Sequence, residues 1–292
     1  MRKKYLDTRI FHAHLPRAEL LMRLCKSKVG FYNTRHNTEA FFPKSNKFIS
    51  RLLSRIVLQK SLGVISISNA VKNYLLTSKE MSANTRSSVI YYGYSPQIKR
   101  SKIIQSASRF EKHKINLGTV SRLVPQKNIG LLIEFAGFLK AHGIDFQIRI
   151  VGEGPDRSLL ENSVLSYHLN EDVQFLGKVS DVFRFLVSLD FFIFTSNYEG
   201  LGLALLEAMD AGLPIIAPRN SAIPEVLGDN HPGLFESGSL LSLSNTFLAM
   251  LSSQTLQVKA LQIQSSKLDS FNMANYFKDH HDFYAYDRQF AS

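Results

Sequence analysis

Short runs of β-branched and aromatic residues alternate along the chain with longer stretches whose apolar positions recur every three or four residues. The short runs read as buried strands and the periodic stretches as amphipathic helices, and their alternation predicts parallel sheets covered by helices, an α/β protein. In the first part of the chain, strands are expected at residues 9–14, 29–34, 63–68 and 88–93. Helices are expected at 17–26, 48–59 and 69–76, with Ser68 placed to cap the last of them. From Ser95 to Lys114 the periodicity is lost in a polar, basic stretch that reads as an interdomain linker. Strands resume at 115–121, 146–151, 173–176, 191–195 and 214–217, which makes a second doubly wound unit. The expected division is a domain over 1–110, a second over 111–270, and an aromatic- and His-rich helix in 271–292.

Composition narrows this picture. At 292 residues, with 45% hydrophobic and 20% charged residues, the chain can bury a large core, and disordered and fibrous classes are excluded. The single cysteine, Cys25, can form neither an intrachain disulfide nor a thiolate cluster, which suits a reducing, cytoplasmic setting. No apolar run approaches the ~18 residues of a membrane span, and the first residues lead into no signal-peptide core. Charge is divided unevenly: residues 1–110 hold 21 Lys and Arg against 4 Asp and Glu, net +17, and the remainder hold 14 against 20, net −6. A basic half suits nucleic acid, an anionic membrane surface, an anionic substrate or simply a solvated face.

Three stretches carry candidate chemistry. Arg122 and Lys127 sit just past an expected strand, where open α/β sheets bind ligands, and a diphosphate needs such a pair of cations. Gly152-Glu153-Gly154-Pro155 forms a strand-to-helix corner whose glycines suit either positive φ or a close ligand. Glu199 ends a loop after a buried strand; Gly200 and Gly202 allow close backbone approach, and a helix expected to begin near Leu201, running on through Leu203, presents its N–H groups to an anion. Glu207 lies within that helix's first two turns, where a carboxylate can accept from both hydroxyls of a ribose.

Taken in order, Arg122 with Lys127, Gly152-Glu153-Gly154-Pro155, Glu199 with Glu207 eight residues on, and Gly212-Leu213-Pro214-Ile215-Ile216-Ala217 resemble the C-terminal domain of the retaining GT-B glycosyltransferases, family 4. The likeness extends into the first half through His12-Ala13-His14-Leu15-Pro16-Arg17-Ala18-Glu19, Thr34-Arg35-His36-Asn37 and Ile65-Ser66-Ile67-Ser68-Asn69-Ala70-Val71, from about Arg9 to Tyr284. The resemblance implies two Rossmann-like domains facing a cleft, with the helix from about Phe271 returning to the N-terminal domain. It implies further strands and a glycine-rich loop before Arg9, so that the N-terminal domain looks short by roughly eighty residues of an ordinary domain; a second chain completing that domain is one expected partner.

The implied reaction is retaining transfer of a hexose from a nucleotide diphosphate sugar to a glycan or lipid-linked glycan, with no metal and no tightly bound cofactor. Arg122 and Lys127 would stabilise the leaving diphosphate, each worth roughly 10²–10³ in rate. Glu199 would hold the sugar hydroxyls, Glu207 the ribose, the backbone near Val179 the base, and His36 the donor sugar or the acceptor. The basic half would then face an anionic acceptor or the inner face of the cytoplasmic membrane, through Phe41 and Phe42 with Lys44, Lys47, Arg51 and Arg55. Rival readings are a non-catalytic remnant that binds nucleotide or a partner, a sugar-nucleotide epimerase, and a nucleic-acid binder. The last lacks aromatics interleaved with the cations, and no nucleic acid is expected.

Overall fold

The computed structural model describes residues 10–24, 30–42, 46–97 and 114–288. Cys25, Val29, Pro43, Lys44 and most of the expected linker lie outside them. The chain forms two compact units: one runs to Gly93 and takes up the chain again from Phe271, the other runs from Tyr94 to Ser270.

The first unit is built on β1 (His12–His14), α1 (Pro16–Leu24), β2 (Phe31–Arg35), α2 (Lys47–Leu58), β3 (Ser61–Ser66), α3 (Asn69–Thr77) and β4 (Ser87–Val89). Its strands pair in chain order, all parallel. Ser68 caps α3, its Oγ accepting from the Val71 N–H at 3.1 Å; β3 therefore stops at Ser66, two residues earlier than the hydrophobic run suggests. The sheet is packed on both faces. Ala13, Phe31, Phe41 and Val57 cluster together, and Tyr32, Ile65 and Ile90 pack with Phe283 of α11 (Met273–Arg288). Gly63 is required there, since a Cβ would stand 2.7 Å from the Phe283 ring.

The second unit contains β5 (Ile115–Val120), α4 (Ile129–Ala141), β6 (Phe146–Val151), α5 (Arg157–Ser166), β7 (Val173–Gly177), α6 (Val182–Leu186), β8 (Phe191–Ile193), α7 (Leu203–Asp210), β9 (Ile215–Pro218), α8 (Ile223–Leu227), β10 (Leu234–Phe235), α9 (Leu240–Ser252) and α10 (Gln254–Leu268). Its six parallel strands lie in the order β10-β9-β8-β5-β6-β7, so the winding reverses between β5 and β8. One continuous apolar core, with Leu117, Phe135, Ile148, Phe191, Ile216 and Phe247 at its centre, covers the sheet. Tyr94 and Gln97 belong to this unit: the Tyr94 hydroxyl donates to buried Asp210 at 3.0 Å and the Gln97 N–H at 2.7 Å. Among the described residues no helix is long and apolar enough to cross a membrane.

Candidate active site

Ligands of doubly wound sheets bind beyond the carboxyl ends of the strands where the order reverses. In the second unit that place lies between the ends of β5 and β8, and both expected loops meet there. After β5 the chain turns through Pro125-Gln126-Lys127, and Asn128 takes a left-handed conformation (φ 48°) before α4. After β8 the loop is tied to this turn: the Asn197 N–H donates to Gln126 O (2.8 Å), Gln126 Nε2 to Tyr198 O (2.9 Å), and Thr195 Oγ1 to Lys127 O (2.9 Å). The result is a direct ion pair between Lys127 and Glu199, whose side chains are 13% and 8% exposed. Lys127 Nζ also lies 5.7 Å from the centre of the Phe194 ring.

Arg122 is exposed at the same strand end, held loosely by Gln126 Oε1 at 3.3 Å. Gly152 follows β6 with φ +131°, and a Cβ on it would stand 1.8 Å from Ser121 O; one on Gly154 would stand 2.1 Å from Leu123 O. These glycines let the β6 corner lie flat against the Ser121–Leu123 segment, fixing the path from which Arg122 projects. Ser121 Oγ, in that segment, is buried without a hydrogen-bond partner among the described residues.

Gly202, at φ +87°, is the N-cap of α7, and no side chain caps the helix. The helix thus starts at Leu203 rather than near Leu201; Leu201 is buried beneath the turn and Leu203 is half exposed. Glu207 sits in the second turn, half-buried, and burial raises its pKa. Val179 lies in the loop beyond β7. Lys127 with Glu199 are brought into contact, Gly152 is placed against the Arg122 segment, and Gly200 and Gly202 lead from Glu199 into α7.

His36 belongs to the first unit, just past β2, with both ring nitrogens engaged: Nδ1 with the Tyr92 hydroxyl (2.5 Å) and Nε2 with His14 Nδ1 (3.0 Å). Behind His14 stacks His12, centroids 4.5 Å apart, itself held by the Tyr284 hydroxyl (2.5 Å) and Thr34 Oγ1 (2.7 Å). Burial, reinforced by the neighbouring imidazoles, pulls His12 and His36 down to about 4, and burial lowers His14 as well, so the group is neutral at pH 7. Burial also pushes Tyr92 up to about 12, so it keeps its proton as a donor. Tyr92 and His14 join this array without having been singled out as His36's partners. The only sequence signal was position, His14 ending β1 and Tyr92 following β4. No group of three or more His, Cys, Asp or Glu among the described residues could hold a metal ion.

The family model for glycosyl transferases group 1 matches residues 100–262, more than half of the chain. The chain belongs to that family. It is 26% identical over 240 residues to an uncharacterized glycosyltransferase of Methanocaldococcus jannaschii, covering 80% of this chain and 62% of the relative. It is 23% identical over 219 residues to the capsular polysaccharide biosynthesis glycosyltransferase CapM of Staphylococcus aureus, covering 72% and 57%. The chain thus spans about three-fifths of the length of these two relatives. Among solved structures it matches Anabaena HepE, determined in complex with UDP and glucose, with a TM-score of 0.79 at 18% identity over 95% of this chain and 78% of that one. The two parallel sheets are those of the GT-B fold.

Proposed function

We propose that the chain transfers a hexose with retention from a nucleoside diphosphate sugar to a glycan or glycolipid acceptor, in the synthesis of a cell-surface polysaccharide. The observation that carries this reading is the Lys127–Glu199 pair at the reversal of the second sheet, beside the uncapped start of α7. A diphosphate arriving there meets Lys127, the exposed fork of Arg122 and the N-terminal end of α7, all donors to negative charge. As the bond to the sugar breaks, charge grows on the leaving phosphate, and these preorganised donors lower the barrier. The departing phosphate oxygen takes the acceptor's proton on the same face of the sugar, so no protein nucleophile is needed. Glu199, freed from Lys127, accepts from the sugar hydroxyls; Glu207 accepts from the ribose, and backbone near Val179 meets the base. His36 meets the donor sugar or the acceptor. HepE's complex with UDP and glucose and CapM's part in capsular polysaccharide support the donor and the product class. Among the described residues β1 pairs on one side only, and its other edge is where a second polypeptide would add a strand.

The test is nucleotide binding. At a hundred times Kd, UDP, GDP or ADP should stabilise the second unit by ~2.7 kcal/mol, seen as a thermal shift. Lys127→Ala combined with Glu199→Gln, which leaves no unpaired charge, should weaken diphosphate binding by about 1.5–3 kcal/mol and spare the free nucleoside. The absence of any shift with all three nucleotides at millimolar concentration would refute the donor site.

A further inference from the structure

The histidine array at the carboxyl end of the first sheet ends on an open nitrogen. Both ring nitrogens of His12 are taken, by Tyr284 and Thr34, and both of His36, by Tyr92 and His14. His14 is exposed, and among the described residues its Nε2 has no hydrogen-bond partner. The protons can be assigned along the series. A neutral imidazole carries one N–H, and the Tyr92 hydroxyl donates to Nδ1 of His36. The His36 proton is then on Nε2 and is given to Nδ1 of His14, which leaves the His14 proton on the open Nε2.

The next residue is strained. Leu15 stands at φ +73°, a left-handed conformation that a leucine rarely adopts and a following proline makes rarer still, and its side chain is 58% exposed. Strain of this kind persists where the surrounding structure over-determines it, and it clusters at ligand sites. Beside Leu15 opens a cavity of about 130 Å³, whose walls include Pro16, His36, Phe41 and Leu75. Phe41 serves as a wall rather than the outward contact expected from sequence, because it is buried under the Arg35 guanidinium, 4.5 Å from its ring centre. Arg35 is itself engaged by Glu19, Glu80 and Ser54 Oγ. An open N–H beside exposed apolar side chains suits a pyranose, which sets an oxygen on the donor and a C–H face on the leucine.

We propose that His14, rather than His36, gives the hydrogen bond to the sugar in the first unit. Its Nε2–H donates to a hydroxyl or ring oxygen, Leu15 packs on the sugar's C–H face, and His36 and Tyr92 are positioning residues that hold the proton on Nε2. This assignment rests on the reading that a sugar binds at this end of the first sheet, and its test needs no turnover.

Nuclear magnetic resonance of the full chain carrying nitrogen-15 histidine reads the tautomers directly. His14 should hold its proton on Nε2 at pH 7, and Tyr92→Phe should let that proton spread to Nδ1. Titration with glucose, galactose, mannose and N-acetylglucosamine, with and without UDP, should move the His14 Nε2 resonance for at least one sugar and leave His36 Nδ1 in place. His14→Asn, which removes the donor at the Nε2 position, should weaken that sugar roughly tenfold with an unchanged melting temperature. His14→Gln, whose amide N–H reaches the same place, should lose several-fold less. A His14 protonated on Nδ1, no His14 response to any of the four sugars, or undiminished sugar binding by His14→Asn would overturn the proposal. Failure of the parent chain to bind UDP would count against the nucleotide site alone, because the His14 measurements are also made without it.

Discussion

The two units place their chemical groups by different means. In the second, a continuous apolar core supports six strands, and the site's loops are shaped by backbone sterics: glycines that admit no Cβ and an asparagine in the left-handed region. In the first, four short strands separate two smaller apolar clusters, and the groups at the sheet's carboxyl end are held by hydrogen bonds between titratable side chains. Below them Arg35 lies between two buried carboxylates, 2.9 Å from Glu19 and 3.5 Å from Glu80. Steric placement is indifferent to pH; placement by imidazoles and buried carboxyls is not.

The largest expected effect tests the steric side. Gly152→Ala should destabilise the second unit by about 3 kcal/mol or more, since positive φ and the clash with Ser121 O act together. Gly143→Ala, also at positive φ (+67°) but with nothing within 4 Å, should cost only about 1 kcal/mol. Hydrogen exchange of the β5 amides measures both, and equal costs would break the distinction.

Next comes the pH response of the first unit. His12 and His36 stay neutral down to about 4, whereas their unfolded counterparts take up protons near 6.5, so their contribution is lost as pH falls through that window. Glu19 acts oppositely. Burial raises it from 4.5 to about 7, so the folded state holds a proton that the unfolded state has released, and acidification through this range favours folding. Glu80 is raised in the same direction, again by burial first. Glu19→Gln keeps Arg35 paired with Glu80 and removes the larger offset. The variant should lose up to about 3 kcal/mol more stability than the parent between pH 7 and 4.5. Denaturant titrations at the two pH values decide this, and equal losses would show that Glu19 does not buffer the histidines.

The smallest effect sharpens the picture of His36. A phenol donates to an imidazole more readily than it accepts from one, so Tyr92 fixes Nδ1 as acceptor and leaves Nε2–H to donate to His14. Tyr92→Phe should cost about 1 kcal/mol in the first unit and change the His36 tautomer, seen in its ring nitrogen shifts. An unchanged tautomer would show that His14 sets it.

Elements that announce themselves locally were legible in the sequence. The Ser68 cap, the run of β6 and the cations after β5 each depend on neighbours a few residues away. β10 escaped notice because two residues after Gly233 have no period to read. Glu199 and Lys127 could be singled out one by one, but their contact spans 72 positions and exists only because β8 lies next to β5. His36 was legible as a candidate, while the partners that occupy its two nitrogens come from strand ends 22 and 56 positions away. The inward or outward turn of Phe41 was likewise set at a distance, by Arg35 reaching over its ring.

The position of Phe283 has a consequence for synthesis. The sheet face bearing Tyr32 and Ile65 is covered by a helix that begins only at Met273, after the whole of the second unit has been made. At ~5–20 residues per second, the stretch from Tyr94 to Ser270 takes roughly 9–35 s to emerge. During that time the second unit can fold complete while the first waits with an uncovered apolar face, the interval in which a nascent chain most needs a chaperone.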